Sequence, residues 1–392
     1  MARTGNTIEE VVAAEMGRRT VLRGGLVGAG TFLAGSALMN NALLAAEEGA
    51  APQHLGGFSS SARSLISFEA IPTNSDDTVT VPSGYTAQPL ALWGDPIDGK
   101  GPAFKPDASN TAAEQAQQFG MGHDGIAYFP LRPMRPNDLG PASRIGLLAM
   151  NHEYTIGEQL FPTGLQRNED GDITIDWTPE HTLKEQNAHG VSIVEVRRQK
   201  ANFKEWEVVK SKYARRITPN TPMTFSGPAA GHRLLQTEAD PAGTTPVGTW
   251  NNCGNGVTPW GTYITCEENF NGYFWEETEG AAEGISEEQA AMNERYGVGG
   301  KGFRYWWATT DERFRADLHP NEPNRAGWIV EIDPMDPDST PVKHTALGRF
   351  KHEGAAFGTA ANGAVVCYMG DDQRFDYLYK FVSAKPLSLI HI

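Results

Sequence analysis

The chain has 392 residues and a formal net charge of -15 at pH 7. This charge argues against nucleic acid or an anionic membrane as a partner, because both repel an acidic protein. The 43 glycines and 25 prolines supply many turns and favour an all-β protein over a helical bundle. Three cysteines, Cys253, Cys266 and Cys367, are too few for a disulfide framework, although one pair remains possible.

Residues 1–46 have the pattern of a twin-arginine export signal. Arg18 and Arg19 precede an uncharged run, 24–39, that is rich in Gly and Ala. The run is short and glycine-rich for a membrane span, so we expect no stable span in the mature protein; an N-terminal anchor helix is the alternative. The pattern predicts export by the twin-arginine translocation machinery to the periplasm or the exterior. Residues 47–75 are predicted to form a linker or a first strand.

From residue 76 to residue 392, short apolar runs alternate with Gly, Pro and Asn turns, which indicates strands. Three of these runs end in acidic or polar residues, and each is followed by a run with more regular alternation. The first series is 145–150, 261–266 and 363–369, and the second is 190–196, 327–333 and 376–382. Such a repeat is typical of a β-propeller, and a β-sandwich is the competing architecture. An acidic, Ala-rich stretch at about 276–300 is predicted to be an insertion with a short exposed helix.

The densest chemistry lies in residues 251–274. A glycine follows Cys253 and leaves its thiol room to approach a bulky group, and Glu267 and Glu268 fall where the next strand should end. A thiol and two carboxylates joined by one turn and one strand are typical of a metal site. A turn followed by an edge strand with solvated acids is the alternative.

Two further segments carry a histidine beside an acid. For His123 and Asp124 we prefer an Asx-type turn over metal ligation. At the strand end that holds His152 and Glu153, alternation places the two side chains on opposite faces, and we favour Glu153 as the ligand.

The segments 215–220 and 348–354 combine basic and polar groups. The first could hold a phosphate through Asn220 and its two arginines, although a solvated basic turn is the alternative. In the second, alternation separates His352 from Glu353 and puts Glu353 on the face of Lys351. Near the end of the chain, Asp371 and Asp372 could bind calcium or cap a turn.

Several longer motifs resemble those of the PhoX-type alkaline phosphatases. The most specific is N-N-C-x-x-G-x-T-P-W-G-T-x-x-T-C-E-E-N-F at 251–270. The others are H-D-x-I-A-Y-F-P-L at 123–131, N-H-E-Y at 151–154, N-T-P-M at 220–223, N-E-P-N-R-x-G-W-I-V-E-I-D-P at 321–334, K-H-E-G at 351–354 and Y-M-G-D-D at 368–372. The resemblance covers the chain from about Ala70 to Val382.

The resemblance implies a six-bladed β-propeller that holds iron and calcium in its channel and hydrolyses phosphate monoesters for phosphate scavenging. Carried onto this chain, Cys253 would bridge two irons, and Glu268 and Glu353 would be metal ligands. From their positions at strand ends we add three candidate metal ligands: Glu153, Asp371 and Asp372. Asn220 is a candidate for contacting phosphate oxygens, and Trp260 for walling the pocket. No side-chain nucleophile is expected, and Cys266 and Cys367 are expected to be buried thiols that only pack.

Two alternatives stay open at this point. One is a calcium-dependent propeller hydrolase of the phytase or lactonase type, which needs no bridging cysteine. The other is a non-catalytic propeller stabilised by calcium. The residues after Val382 do not look like a continuation of the family, so we expect a propeller that lacks its C-terminal blades and is a poor or inactive catalyst.

Overall fold

The computed structural model describes residues 69–131, 144–169, 172–199, 205–277, 285–300 and 305–387. The chain divides into two compact units, Met1–Thr86 and Ala87–Ile392. The predicted export signal and most of the predicted linker lie outside the described residues, and residues 69–86 form no helix or strand. All the elements that follow belong to the second unit.

The first sheet is built from strands that follow one another in the chain. It contains β1 (His123–Pro130), β2 (Ile145–His152), β3 (Gly190–Arg198), β4 (Trp206–Val209) and β5 (Arg215–Ile217). The strands pair antiparallel in the order β1-β2-β3-β4, and β5 also pairs with β3.

The second and third sheets are also mainly antiparallel. The second contains β6 (Thr224–Ser226), β7 (Asn252–Val257), β8 (Tyr263–Glu267), β9 (Ile329–Ile332) and β10 (Val342–His344). Its order is β6-β10-β9-β8-β7, and all its pairs are antiparallel except β6–β10. The third contains β11 (His352–Thr359), β12 (Ala364–Asp371) and β13 (Leu378–Pro386), all antiparallel.

The α-helices are few and short. They are α1 (Ala112–Gln115), α2 (Gly157–Leu160), α3 (Pro179–Asn187) and α4 (Glu287–Tyr296). Short 3₁₀ helices span Arg233–Leu235, Phe270–Tyr273, Trp307–Thr309, Glu312–Phe314, Glu322–Arg325 and Thr345–Leu347. Across the described ranges, none of the helices combines the length and apolarity that a membrane crossing requires.

Helix α4 lies within the stretch predicted as an acidic insertion, of which residues 278–284 are outside the described part. It begins after Ser286, whose side chain accepts a hydrogen bond from the backbone N–H of Gln289. It ends at Gly297, which has the left-handed conformation that terminates many helices.

The repeat read from the sequence corresponds to two neighbouring strands in each sheet. The first predicted series falls on β2, β8 and β12, and the second falls on β3, β9 and β13. The fold is therefore mostly β, as predicted. In the part of the chain that the structure describes, the three sheets are open and none closes on itself.

The second sheet packs between the other two. On one face of β8, Tyr263 joins an apolar cluster with residues of the first sheet such as Leu147 and Ile193. On the other face, Ile264 and Cys266 pack against Cys367 and neighbouring residues of the third sheet. Because the side chains of a strand alternate between faces, this one short strand anchors both interfaces.

Candidate metal centre

One strand of each sheet begins with a β-bulge. The pairing of β1 with β2 shifts between His123 and Ile126, that of β7 with β8 between Asn252 and Asn255, and that of β11 with β12 between His352 and Gly354. A bulge adds a residue to one strand and re-aims the side chains within it. The residues held in the three bulges are Asp124, Cys253 and Glu353, each followed by a glycine.

The three bulges bring these side chains together around the thiol of Cys253. Its Sγ lies 3.4 Å from Oδ2 of Asp124 and 3.4 Å from Oε1 of Glu353. Glu153 and Glu268, which follow the ends of β2 and β8, complete two groups of three whose ligand atoms lie within 4.8 Å of one another. The groups are Asp124, Glu153 and Cys253, and Cys253, Glu268 and Glu353, so Cys253 belongs to both.

The close approach of β7 and β11 depends on glycine. A Cβ added to Gly254 would lie 2.0 Å from the backbone oxygen of Glu353, and one added to Gly256 would lie 2.1 Å from the backbone oxygen of Ala355. A carbon at such a distance cannot be accommodated without moving a strand. The missing side chains therefore let Glu353 reach Cys253.

A second set of contacts fixes β7 against the first sheet. The side-chain amide of Asn151 donates to the backbone oxygens of Cys253, at 2.6 Å, and Gly254, at 3.0 Å. The hydroxyl of Tyr263 lies 2.8 Å from both Oδ1 of Asn151 and the backbone oxygen of Gly125. These buried bonds join the bulge of β1 to that of β7, and so hold Asp124 beside Cys253.

Asn251 and Asn269 orient Glu268 through hydrogen bonds. Asn251 has a φ of 50°, and its backbone oxygen accepts a hydrogen bond from the N–H of Glu268 at 3.0 Å. The left-handed region is one that Asn tolerates better than most residues. The side chain of Asn251 also accepts a bond from the backbone of Asn269, whose own amide donates to the carboxylate of Glu268.

The electrostatics of this cluster are those of a site for cations. Burial raises the pKa of the Cys253 thiol far above its usual range. The carboxylates of Glu153, Asp124 and Glu353 raise it further. Burial and the neighbouring acids likewise raise the pKa of Glu268 to about 7. Across the described ranges, no Lys, Arg or His forms an ion pair with Asp124, Glu268 or Glu353.

The donor set fits metal ions, because one thiol and four carboxylates converge. In the part of the chain that the structure describes, no basic side chain lies at ion-pair distance from Asp124, Glu268 or Glu353 to offset their negative charge. Cys253 is 8% exposed and Glu268 is 3% exposed, whereas Glu353 is exposed to solvent. The cluster is therefore buried at Cys253 and Glu268 and open to solvent at Glu353.

The remaining predicted metal ligands lie at the corresponding end of the third sheet. Asp371 pairs across the sheet with His352, and the backbone N–H of Asp372 donates to the backbone oxygen of Lys351 at 3.0 Å. Neither acid belongs to the two groups around Cys253. The negative charge of Asp372 nevertheless contributes to the raised pKa of Glu268, after burial and the nearer glutamates.

The two predicted substrate contacts form hydrogen bonds to residues outside the two ligand groups. Asn220 donates to the side chain of Gln186 at 2.8 Å and accepts from Arg313 at 3.3 Å. Trp260 lies in the β7–β8 turn, at the opposite end of the hairpin from Cys253, where it donates to Glu331 at 2.6 Å. Cys253 lies four residues from the end of β7, which is about 13 Å along the strand. The ring of Trp260 lines a different cavity, of about 270 Å³.

The basic residues flagged in the sequence have structural partners. Arg215 donates to the backbone oxygens of Pro337, Ser339 and Asp333 at 2.8–2.9 Å. Arg349 donates to those of Ala326 and Pro323 at 2.8 and 2.7 Å. Their guanidinium groups hold loops of the second unit.

The histidines stay out of the cluster, as strand alternation predicted for two of them. His152 is fully buried and its imidazole contacts Ser192 and His123. His352 is also fully buried, and burial lowers the pKa of its imidazole to about 3. Glu153 and Glu353, their neighbours in the chain, are the residues that reach Cys253.

Asp124 belongs to the cluster, although its sequence context favours an Asx-type turn over metal ligation. The bulge that aims it at Cys253 was not visible in the sequence. One signal was available: H-D-G, N-C-G and H-E-G occur at the starts of β1, β7 and β11. Aligning those three tripeptides places Asp124 with Cys253 and Glu353.

Comparison with known proteins agrees with these features. The family model described as "Alkaline phosphatase PhoX" matches residues 66–391. The match continues past Val382, and β13 extends to Pro386, so the break expected after Val382 is not found there. A search of curated proteins gave no significant match.

One solved structure is similar to this chain. It is described as Pseudomonas fluorescens PhoX in complex with vanadate, a transition state analogue. The sequence identity is 42% and the TM-score is 0.72, with 83% of this chain and 52% of the other covered. This chain therefore spans about half the length of that protein.

Proposed function

Because the chain belongs to the PhoX alkaline phosphatase family, we propose that it hydrolyses phosphate monoesters at a metal cluster built around Cys253. The observation that carries the proposal is the meeting of one buried thiol with four carboxylates drawn from three sheets. The vanadate complex of the similar protein supports phosphoryl chemistry. The match spans 52% of that protein, so we infer the activity of this chain from the residues of its own cluster.

Iron and calcium are the metals that the ligands suit best. A thiolate is a ligand for iron, and carboxylate oxygens suit iron and calcium. When bound, the ions would supply the positive charge that attracts a phosphate dianion and stabilises charge on the phosphoryl oxygens. Without them, an acidic cluster in a protein with a net charge of -15 would repel that substrate.

The contribution of the protein is to hold the ligands and to control their protons. Burial and nearby acids favour the protonated Cys253 thiol, which would give up its proton to bind a metal ion as thiolate. Substrate would enter from the open side at Glu353. No side chain is assigned as the nucleophile.

A propeller is the architecture we propose for the whole family domain. Each sheet consists mainly of antiparallel strands, and β1, β7 and β11 carry Asp124, Cys253 and Glu353 to one place. Blades arranged around a channel bring one strand of each sheet together in this way. The number of blades, six in the family resemblance, stays part of the proposal.

Location and biological role follow from the N-terminal sequence. Arg18 and Arg19 ahead of an uncharged run support export of the folded protein by the twin-arginine machinery. A periplasmic or secreted phosphatase would release phosphate from external esters. We therefore propose a role in phosphate scavenging.

The proposal is tested by p-nitrophenyl phosphate hydrolysis with iron and calcium supplied. Cys253→Ala removes the thiol shared by both ligand groups, so hydrolysis should fall to background. Cys367→Ala is the matched control, since it removes a buried free thiol outside the cluster. Wild-type protein that binds metal but shows no hydrolysis, or hydrolysis that survives Cys253→Ala, would contradict the proposal.

A further inference from the structure

A chain of hydrogen-bonded side chains crosses the first sheet beside the metal cluster. Nη1 of Arg216 donates to Oγ of Ser192 at 2.9 Å, and that oxygen lies 2.6 Å from Nε2 of His152. Nδ1 of His152 lies 3.2 Å from Nδ1 of His123, and Nε2 of His123 lies 2.8 Å from the backbone oxygen of Ala91. The chain thus joins β5, β3, β2 and β1.

The two ends of this chain determine the direction of every bond in it. A guanidinium only donates and a carbonyl only accepts. Nε2 of His123 must therefore carry a proton for Ala91, which leaves its Nδ1 to accept from Nδ1–H of His152. Nε2 of His152 then accepts the hydroxyl proton of Ser192, whose oxygen accepts from Arg216.

The opposite direction fails at the Ala91 end. If His152 donated to Ser192 and accepted from Nδ1 of His123, a lone pair of neutral His123 would face the Ala91 oxygen at 2.8 Å. With one proton on each ring, the hydrogen bonds therefore require opposite tautomers for His123 and His152.

The hydrogen-bonded side chains lie next to Asp124 and Glu153, the two acids that the first sheet contributes to the cluster. His123 and His152 are paired across β1 and β2, and Asp124 and Glu153 are the residues that follow them in the sequence. The backbone N–H of Glu153 also donates to the backbone oxygen of Gly122 at 2.8 Å. Fixing the two imidazoles fixes the backbone from which both carboxylates project.

A buried polar pair stands at the same place in the second sheet. There Asn252 pairs with Glu267, next to Cys253 and Glu268. Asn252 donates to Thr249 and Thr265 at 2.7 and 3.0 Å. In both sheets, therefore, a pair of polar residues that does not enter the cluster precedes the residues that do.

We propose that His123, His152, Ser192 and Arg216 are positioning residues that hold Asp124 and Glu153 in place for metal binding. The proposal rests on the metal centre of the proposed function. Groups that orient metal ligands commonly change metal affinity by about 10- to 100-fold when they are removed.

The first test is the tautomer of each imidazole in the metal-free wild-type protein. Two-bond ¹H–¹⁵N correlation spectra, assigned with His123→Gln and His152→Gln, should show Nε2–H for His123 and Nδ1–H for His152. The reversed pair or two identical tautomers would overturn the proposed chain. This result does not depend on the folding of any Ser192 variant or on phosphatase activity.

The second test measures affinity for iron and calcium. Ser192→Ala should weaken it about 10-fold, and Ser192→Thr, which keeps the hydroxyl, should restore most of the loss. Ser226→Ala is the matched control, since Ser226 bonds to His344 at 2.8 Å at the β6–β10 edge, and it should bind metal like the wild type. Unchanged affinity in Ser192→Ala would overturn the positioning role, whereas phosphatase failure alone would count only against the proposed function.

Discussion

Two consecutive glutamates, Glu267 and Glu268, are both buried and have opposite electrostatic surroundings. Glu267 is fully buried, and its carboxylate accepts from Nζ of Lys343 at 2.7 Å and from the backbone N–H groups of Gly327 and Trp328 at 2.9 and 3.0 Å. Glu268 is 3% exposed and faces Glu353 and Glu153.

The difference separates a structural acid from an acid that requires a ligand. The cation that Glu267 needs is part of the fold, so that carboxylate ties β8 to β10 in every state of the protein. For Glu268, no cationic side chain of the described residues lies at ion-pair distance, and the proposed metal centre would supply the counter-charge. Burial of an acid is therefore a poor sign of function until its counter-charge has been found.

The largest effect is expected from breaking the structural acid. Glu267→Gln would leave the ammonium of Lys343 buried without a counter-ion, which typically costs about 3–5 kcal/mol of unfolding free energy. Urea denaturation should show this loss. The paired change Glu267→Met with Lys343→Met should recover most of it, and a single variant as stable as the wild type would contradict the comparison.

The next effect concerns pH and the metal-free protein. The pKa of Glu268 is about 7 in the folded state against 4.5 in the unfolded state, so the folded protein binds that proton more tightly. The unfolding free energy should then fall as pH rises through this window, by about 3 kcal/mol in total. Glu268→Gln should flatten the profile between pH 5 and pH 8, and an unchanged profile would show that Glu268 is not the titrating group.

A matched pair of glycines tests the approach of β7 and β11. Gly254→Ala would place a Cβ 2.0 Å from the backbone oxygen of Glu353, whereas Gly354→Ala meets nothing within 4 Å. The first should cost about 2 kcal/mol and weaken metal binding, and the second should do neither. Equal thermal stabilities and equal metal affinities for the two variants would refute this packing argument.

The smallest effect is expected at Trp260. Hydrogen bonds from His344, Thr262 and Trp260 outweigh burial and lower the pKa of Glu331 to about 2. Trp260→Phe removes one of these bonds and should cost about 1 kcal/mol without changing metal content. A loss of metal in this variant would place the ring at the cluster after all.

The strands and several cluster residues could be predicted from the sequence because they depend on local patterns. Alternation located β2, β3, β8, β9, β12 and β13, and it separated Glu153 from His152. Those signals involve residues that lie next to one another in the chain.

The surroundings of Asp124, Asn220 and Trp260 could not be predicted from local sequence patterns. Asp124 reaches Cys253, 129 residues away, through a bulge that depends on pairing between strands. Trp260 shares a motif with Cys253, but the hairpin carries the two residues to opposite ends. Asn220 is held by Gln186 and Arg313, and neither partner is recognisable before the chain folds.

The metal content of the purified protein tests the central claim most directly. We predict iron and calcium in the wild type, with iron lost in Cys253→Ala and kept in Cys367→Ala, because only Cys253 lies among the acids. Calcium without iron would favour the alternatives that need no bridging cysteine. Wild-type protein that binds neither metal, or a Cys253→Ala variant that keeps its iron, would contradict the assignment of this cluster as a metal centre.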